Sequence, residues 1–133
     1  MVILCVMCGC ATTGRYGSFV HDPNLDQKKL GLEAARQLAI MYPPAKTLFV
    51  MRQATPDPFG SALLDGLCEQ GFALMEFSDK QTQKGTGGVP LNYVLDSVEG
   101  GLYRLTLHVG SQSIARPFVA PATPVGYWVN RAG

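Results

Sequence analysis

The chain has 133 residues, enough for one domain with a buried core, and its apolar fraction of 47% is ordinary for a globular protein. With 11 basic and 10 acidic side chains it has no positive field to neutralise many phosphates, which argues against direct binding of nucleic acid and against a polybasic membrane patch.

The chain opens on Met1-Val2-Ile3-Leu4-Cys5-Val6-Met7-Cys8-Gly9-Cys10, an apolar run that stops at a Gly-Cys pair. This fits the apolar core and cleavage region of a bacterial lipoprotein signal, in which a small residue precedes a cysteine that takes a diacylglycerol before the leader is removed. On this reading residues 1–9 are a shortened leader whose true start lies upstream, since no Lys or Arg precedes the run, and Cys10 is the lipidated first residue of the mature chain. Cys68 is then the one thiol left, and no internal disulfide framework can form. Two rival readings stay open. Cys5, Cys8 and Cys10 have a spacing that can close around a soft metal, although no fourth ligand is near in sequence. Residues 2–7 also suit a buried strand, because a short continuous apolar run has no diagnostic period. A membrane-spanning helix is excluded by length, since a span needs roughly 20 apolar residues.

Residues 10–23 read as an extended tether, rich in small and turn-forming residues. Tyr16, Phe19 and Val20 are unusual in a plain spacer, which needs only Gly, Ser and Pro. Together with Arg15 they are the candidate partner-binding residues, because aromatics in a polar segment can dock into a neighbour's grooves. The alternative is that they fold back onto their own domain.

The domain proper is expected over 24–133. A helix is predicted from Asn24 to Tyr42, capped by Asp22 or Asn24, with Leu32, Ala35, Leu38, Ala39 and Tyr42 on its apolar face. Pro43-Pro44 ends it. Lys46 to Met51 reads as a short strand. Thr55-Pro56-Asp57-Pro58 starts a second helix, with Thr55 as cap and Pro56 in the first turn. Phe59, Leu63 and Leu67 form its buried face, Gly71 closes it, and Cys68 beside that face reads as a small buried hydrophobe.

Strands follow at 72–77 and 91–96, separated by a polar loop with the run Gly85-Thr86-Gly87-Gly88. That run is no phosphate cradle, since Pro90 opens a strand where such a loop needs a helix N-terminus. Glu99-Gly100-Gly101 is a turn. Tyr103, Leu105, Leu107 and Val109 then alternate with Arg104, Thr106 and His108, the clearest one-sided strand in the chain. A hairpin at Gly110-Ser111 sets Val109 opposite Gln112, Leu107 opposite Ile114 and Tyr103 opposite Phe118. Pro117 implies a sheet edge. A last short strand is expected over 126–129, its Trp128 closing a face of the core. The order α-β-α-β-β-β-β predicts an α+β fold, two helices on one face of a mostly antiparallel sheet.

No metal, cofactor or catalytic motif stands out. Ser61, His108 and Asp65 could be forced into a triad, but Ser61 reads as an ordinary residue near a helix start, and no enzyme is expected.

Taken together, Gly9 to Gly17, Tyr42-Pro43-Pro44-Ala45, Thr55-Pro56-Asp57-Pro58-Phe59-Gly60, Leu102 to Leu107, Gln112-Ser113-Ile114-Ala115-Arg116-Pro117 and Gly126-Tyr127-Trp128-Val129 resemble the TrbH family of conjugal transfer proteins. The resemblance runs from about Gly9 to Val129. It implies a structural lipoprotein of plasmid mating-pair formation, anchored at the outer membrane with its domain in the periplasm. Its partners would be the other core subunits of a type IV secretion channel, in which it would be multimeric. The departure is the shortened leader. The element order also resembles the small N-terminal domain of secretins, an analogy of fold alone. The rival class is a binding lipoprotein that holds peptidoglycan or escorts another subunit in the manner of a pilotin.

Overall fold

The computed structural model describes residues 16–78 and 87–132. The leader 1–9, Cys5, Cys8, Cys10, Arg15 and most of the glycine-rich loop lie outside the described residues.

The centre of the fold is a three-stranded meander: β4 (Val89–Glu99), β5 (Leu102–Val109) and β6 (Gln112–Val119), each antiparallel to the next. Alternation dictates the register. Leu105, Leu107 and Val109 are fully buried while Arg104 is exposed, and the pairs Val109–Gln112, Leu107–Ile114 and Tyr103–Phe118 are those the Gly110-Ser111 turn predicts. Leu91, Tyr93 and Leu95 of β4 join the same inner face.

Two helices cover that face, α1 (Gln27–Met41) and α2 (Pro58–Gln70), with Leu30, Ala34 and Leu38 of the first and Phe59, Leu63 and Leu67 of the second fully buried. They cross at small residues. A Cβ added to Gly31 would stand 2.6 Å from the Ala62 Cβ, and one added to Gly66 2.8 Å from the Ala35 Cβ, so the crossing requires glycine there. α2 ends at Gly71, whose φ of 99° is the left-handed cap conformation.

Each edge of the meander is extended by two short strands. Along β4 lie β2 (Leu48–Met51) at residues 89–91 and β1 (Gly17–Ser18) at 94–95, both parallel to it; β3 (Ala73–Met75) adds in parallel outside β2, with α2 as the crossover. Along β6 lie β7 (Thr123–Pro124) and β8 (Val129–Ala132), both antiparallel. The molecule is α+β, two helices on one face of a mixed, mostly antiparallel sheet of 8 strands. β1 and β7 are additions to the expected order, both too short to show a period, and the last strand, expected over 126–129, forms instead at Val129–Ala132.

Several local expectations are corrected. The cap of α1 is Asp26, whose carboxylate accepts from Lys29 N at 3.0 Å, because Asp22 is committed to Asn24 N and the Tyr103 hydroxyl. Asp57, not Thr55, caps α2 by accepting from Gly60 N at 2.8 Å, and Pro58 rather than Pro56 is the first-turn proline. The buried face of α1 runs through Leu30, Gly31 and Ala34 as well as Ala35 and Leu38, leaving Leu32 partly exposed. Cys68 is exposed rather than buried. Pro117 marks no free edge. Its carbonyl accepts from Val125 N at 2.9 Å, so its missing N–H points away from β5, into the gap between β7 and β8.

Candidate partner-binding surface

The segment read as a tether lies along the domain from Tyr16 onward. β2 leaves the β4 edge after Met51, and β1 takes that edge up again, with Gly17 beside Val94 and Phe19 N donating to Leu95 O at 2.8 Å. Between the two, the side chain of Gln53 replaces a strand: its Oε1 accepts from Tyr93 N at 2.6 Å. Ser18 Oγ donates to Gln27 Oε1, and Asp26 N donates to Pro121 O at 2.7 Å, so this strap is fixed to α1 and to the loop after β6.

The four candidate residues therefore separate. Val20 is 6% exposed and packs in the core with Leu25. Tyr16 and Phe19 keep 39% and 46% of their surface open to solvent. Tyr16 stands edge-on to His108, which lies on the face of the sheet opposite the helices. Arg15 and Cys10 are outside the described residues.

Chemistry around the strap is already paired. His108 Nδ1 meets Ser113 Oγ at 2.8 Å, and partial burial pulls its pKa below the usual imidazole value. Asp22 is held below the ordinary carboxylate range by the Tyr103 hydroxyl and then by Asn24 N. The Tyr93 hydroxyl donates to Asp57 Oδ1 at 2.6 Å, and burial, followed by that carboxylate, holds the phenol well above its ordinary pKa. The Tyr103–Asp22 and Tyr93–Asp57 contacts are clasps from a sheet residue to the loop before each helix. A groove of about 650 Å³ between Val20 and Pro58 contains Asp22 and Asp26, both engaged as described.

The triad residues are not brought together: Ser61 and Asp65 are exposed on α2, and His108 is on the opposite side of the sheet. Among the described residues no group of three His, Cys, Asp or Glu side chains could hold a metal ion, and no helix is long and apolar enough to cross a membrane.

Sequence reasoning missed the edge itself. Gln53 gives no signal in a polar stretch after a strand, and β1 is too short for periodicity; only the mismatch between the 11 residues of β4 and the 4 of β2 reveals that an edge is left to fill.

No curated protein and no solved structure matches this chain. The model of one family, described as conjugal transfer protein TrbH, matches residues 13–132 and so takes in the strap, both helices and every strand from β1 to β8. The chain belongs to the TrbH family of conjugal transfer proteins.

Proposed function

We propose that this protein is a structural lipoprotein in the outer-membrane part of a conjugative type IV secretion channel, anchored through Cys10 with its domain in the periplasm. Neighbouring subunits of the channel contact it through Arg15, Tyr16 and Phe19, while Val20 holds the strap to the core. The observation that carries the reading is the pair of half-exposed aromatics, Tyr16 and Phe19, on the strap along β4, in a member of a conjugal transfer family. Tyr16 follows Cys10 by six residues, and an extended chain advances at most about 3.3–3.6 Å per residue, so the contact stays within roughly 20 Å of the anchor. Such confinement raises the effective concentration of a partner near the membrane.

The test has two arms. Fatty-acid labelling is expected to disappear in Cys10→Ala; label surviving in that variant would remove the anchor from the reading. Replacing Tyr16 and Phe19 by Ser is expected to abolish co-purification with the channel subunits and leave the melting temperature close to that of the parent, as for most surface changes. Retention of the variant in the assembled apparatus would remove the strap from the reading.

A further inference from the structure

Among the described residues no helix covers the sheet face opposite α1 and α2. Because Leu105, Leu107 and Val109 face the helices, the rows Val94–Thr106–Ala115–Val129 and Leu102–Val119 face the other way. Val119, Val125 and Val129 are 42%, 41% and 58% exposed, and Tyr127, ahead of β8, is 85% exposed. Charge is sparse on this outer face. Across β4, β5, β6 and β8 its charged positions are Asp96 and Arg104, which pair with each other at 2.8 Å, Glu99 at the turn and Arg131 near the end of β8. The helices present the opposite character, with Lys28, Lys29, Arg36, Asp65 and Glu69 all exposed. The domain is amphipathic as a whole: an apolar sheet face on one side and a charged helical face on the other.

Tyr16, the first described residue after Cys10, lies on the apolar side. β2 holds the β4 edge as far as Leu91, Arg52 N donates to Leu91 O at 3.0 Å, and Gln53 Oε1 takes Tyr93 N, so no place remains beside β4 ahead of Gly17. Tyr16 turns onto the outer face instead, its ring 5.6 Å from that of His108. It follows Cys10 by six residues, a reach of roughly 20 Å at full extension. An apolar face held that close to an acylated cysteine meets the bilayer at high effective concentration, so a weak contact suffices.

We infer that this outer face lies against the lipid surface, with Tyr127 and the exposed valines at the headgroup boundary and both helices turned away from the membrane. The inference rests on the reading of Cys10 as the anchored residue and gives the anchored domain an orientation. Tyrosine suits such a boundary, with an apolar ring and a hydroxyl that stays hydrated. The Asp96–Arg104 pair brings no lone charge to it. The strap runs along the β4 border of the face, so Tyr16 and Phe19 stand where a neighbour on the same membrane meets the domain from the side.

Tryptophan quenching in the acylated full chain tests this, in vesicles of phosphatidylethanolamine and phosphatidylglycerol whose acyl chains carry bromine near the headgroup. Trp128 is the single tryptophan, so Trp128→Phe supplies a dark background. Into it go Tyr127→Trp and Val119→Trp on the outer face, and Ile40→Trp at an exposed position of α1, one change at a time. Bromine is expected to remove most of the emission at 127 and 119 and to leave that at 40 nearly unchanged. Losses at 127 and 119 no greater than at 40 would overturn the inference, whether all three are quenched or none is. Thermal melting checks that each variant folds, and Val125→Trp replaces Val119→Trp should β6 be disturbed. In cells, a photo-crosslinking side chain at 127 is expected to join lipid; joining a channel subunit instead would assign the face to protein and overturn the inference. Sedimentation with the vesicles keeps the two readings apart. An acylated chain that sediments but shows no contrast between positions retains the anchor and loses the orientation, whereas a chain with no acyl group that stays in solution loses both.

Discussion

Along β4 the pairing passes from β2 to β1 at Tyr93, and along β6 it passes from β8 to β7 around Arg116 and Pro117. At both junctions one residue makes no N–H bond to the backbone of a neighbouring strand. At the first, which is buried, the Tyr93 N–H would be orphaned, and Gln53 supplies the acceptor from its side chain. Gln53 is itself buried, and its Nε2 has no partner among the described residues, so the repair transfers part of the cost to another donor. At the second junction the donor is absent, because the residue there is Pro117, and Arg116 donates from Nε and Nη2 to Gly126 O in an exposed position that water also reaches. A break in a ladder is thus closed by a side-chain acceptor where solvent is excluded, and by deleting the donor where it is not.

The meander between the junctions sets the scale against which this comparison can be broken. Leu105→Ala or Leu107→Ala is expected to cost about 2–5 kcal/mol in denaturant unfolding, whereas Thr106→Ala costs little. Similar losses at Thr106 and Leu107 would mean that the inner and outer faces have been exchanged. The contrast between junctions comes next in size. Gln53→Met keeps most of the volume and removes the acceptor, so the buried Tyr93 N–H is left unmade at about 1–3 kcal/mol. Arg116→Ala removes two exposed contacts to one carbonyl and is expected to cost under about 1 kcal/mol. Equal costs at the two positions would erase the distinction drawn from burial.

Much of the meander was legible beforehand. Tyr103 to Val109 alternate without exception, and a Gly-Ser turn followed by Ile114 and Phe118 leaves one sensible register. Both helices and the Gly71 stop were legible for the same reason: each is encoded within a few residues. What failed was decided at long range. Asp22 could cap a helix as well as Asp26 can, and the choice is made by Tyr103, 81 residues away. Burial of Val20 but not of Phe19 follows from the register of the strap on β4, which sets Ser18 level with core-facing Leu95, and Cys68 points outward because α2 turns its small-residue face to α1. Of the candidate contact residues the sequence could identify aromatics in a polar segment, but not that the segment fills a vacancy on β4.

The smallest expected effect lies on the outer face, where Tyr16 leans on His108. Burial disfavours the imidazolium in the folded protein, so the unfolded chain takes up the proton first as pH falls. The contribution is fully present above about pH 6.5, the ordinary imidazole value, and is lost as pH drops through the lower folded value. Melting temperature is expected to decline slightly more between neutral and mildly acidic pH in the parent chain than in His108→Gln. The same slope in both would place that pH dependence elsewhere.

The crossing of α1 on α2 bears on how this sequence can drift over generations. A methyl group at Gly66 would meet the Ala35 Cβ at 2.8 Å and the Leu32 Cδ2 at 3.3 Å, both side-chain atoms. Exchange of the pair, alanine at 66 for glycine at 35, conserves volume, so these two positions can trade places through a pair of changes. Gly31 has no such route. A methyl group there would lie 2.8 Å from Leu63 N and 2.9 Å from Phe59 O, main-chain atoms that no replacement at Ala62 removes. Descendants of this protein should accordingly vary together at 35 and 66, and keep glycine at 31 for as long as the two helices cross at this distance.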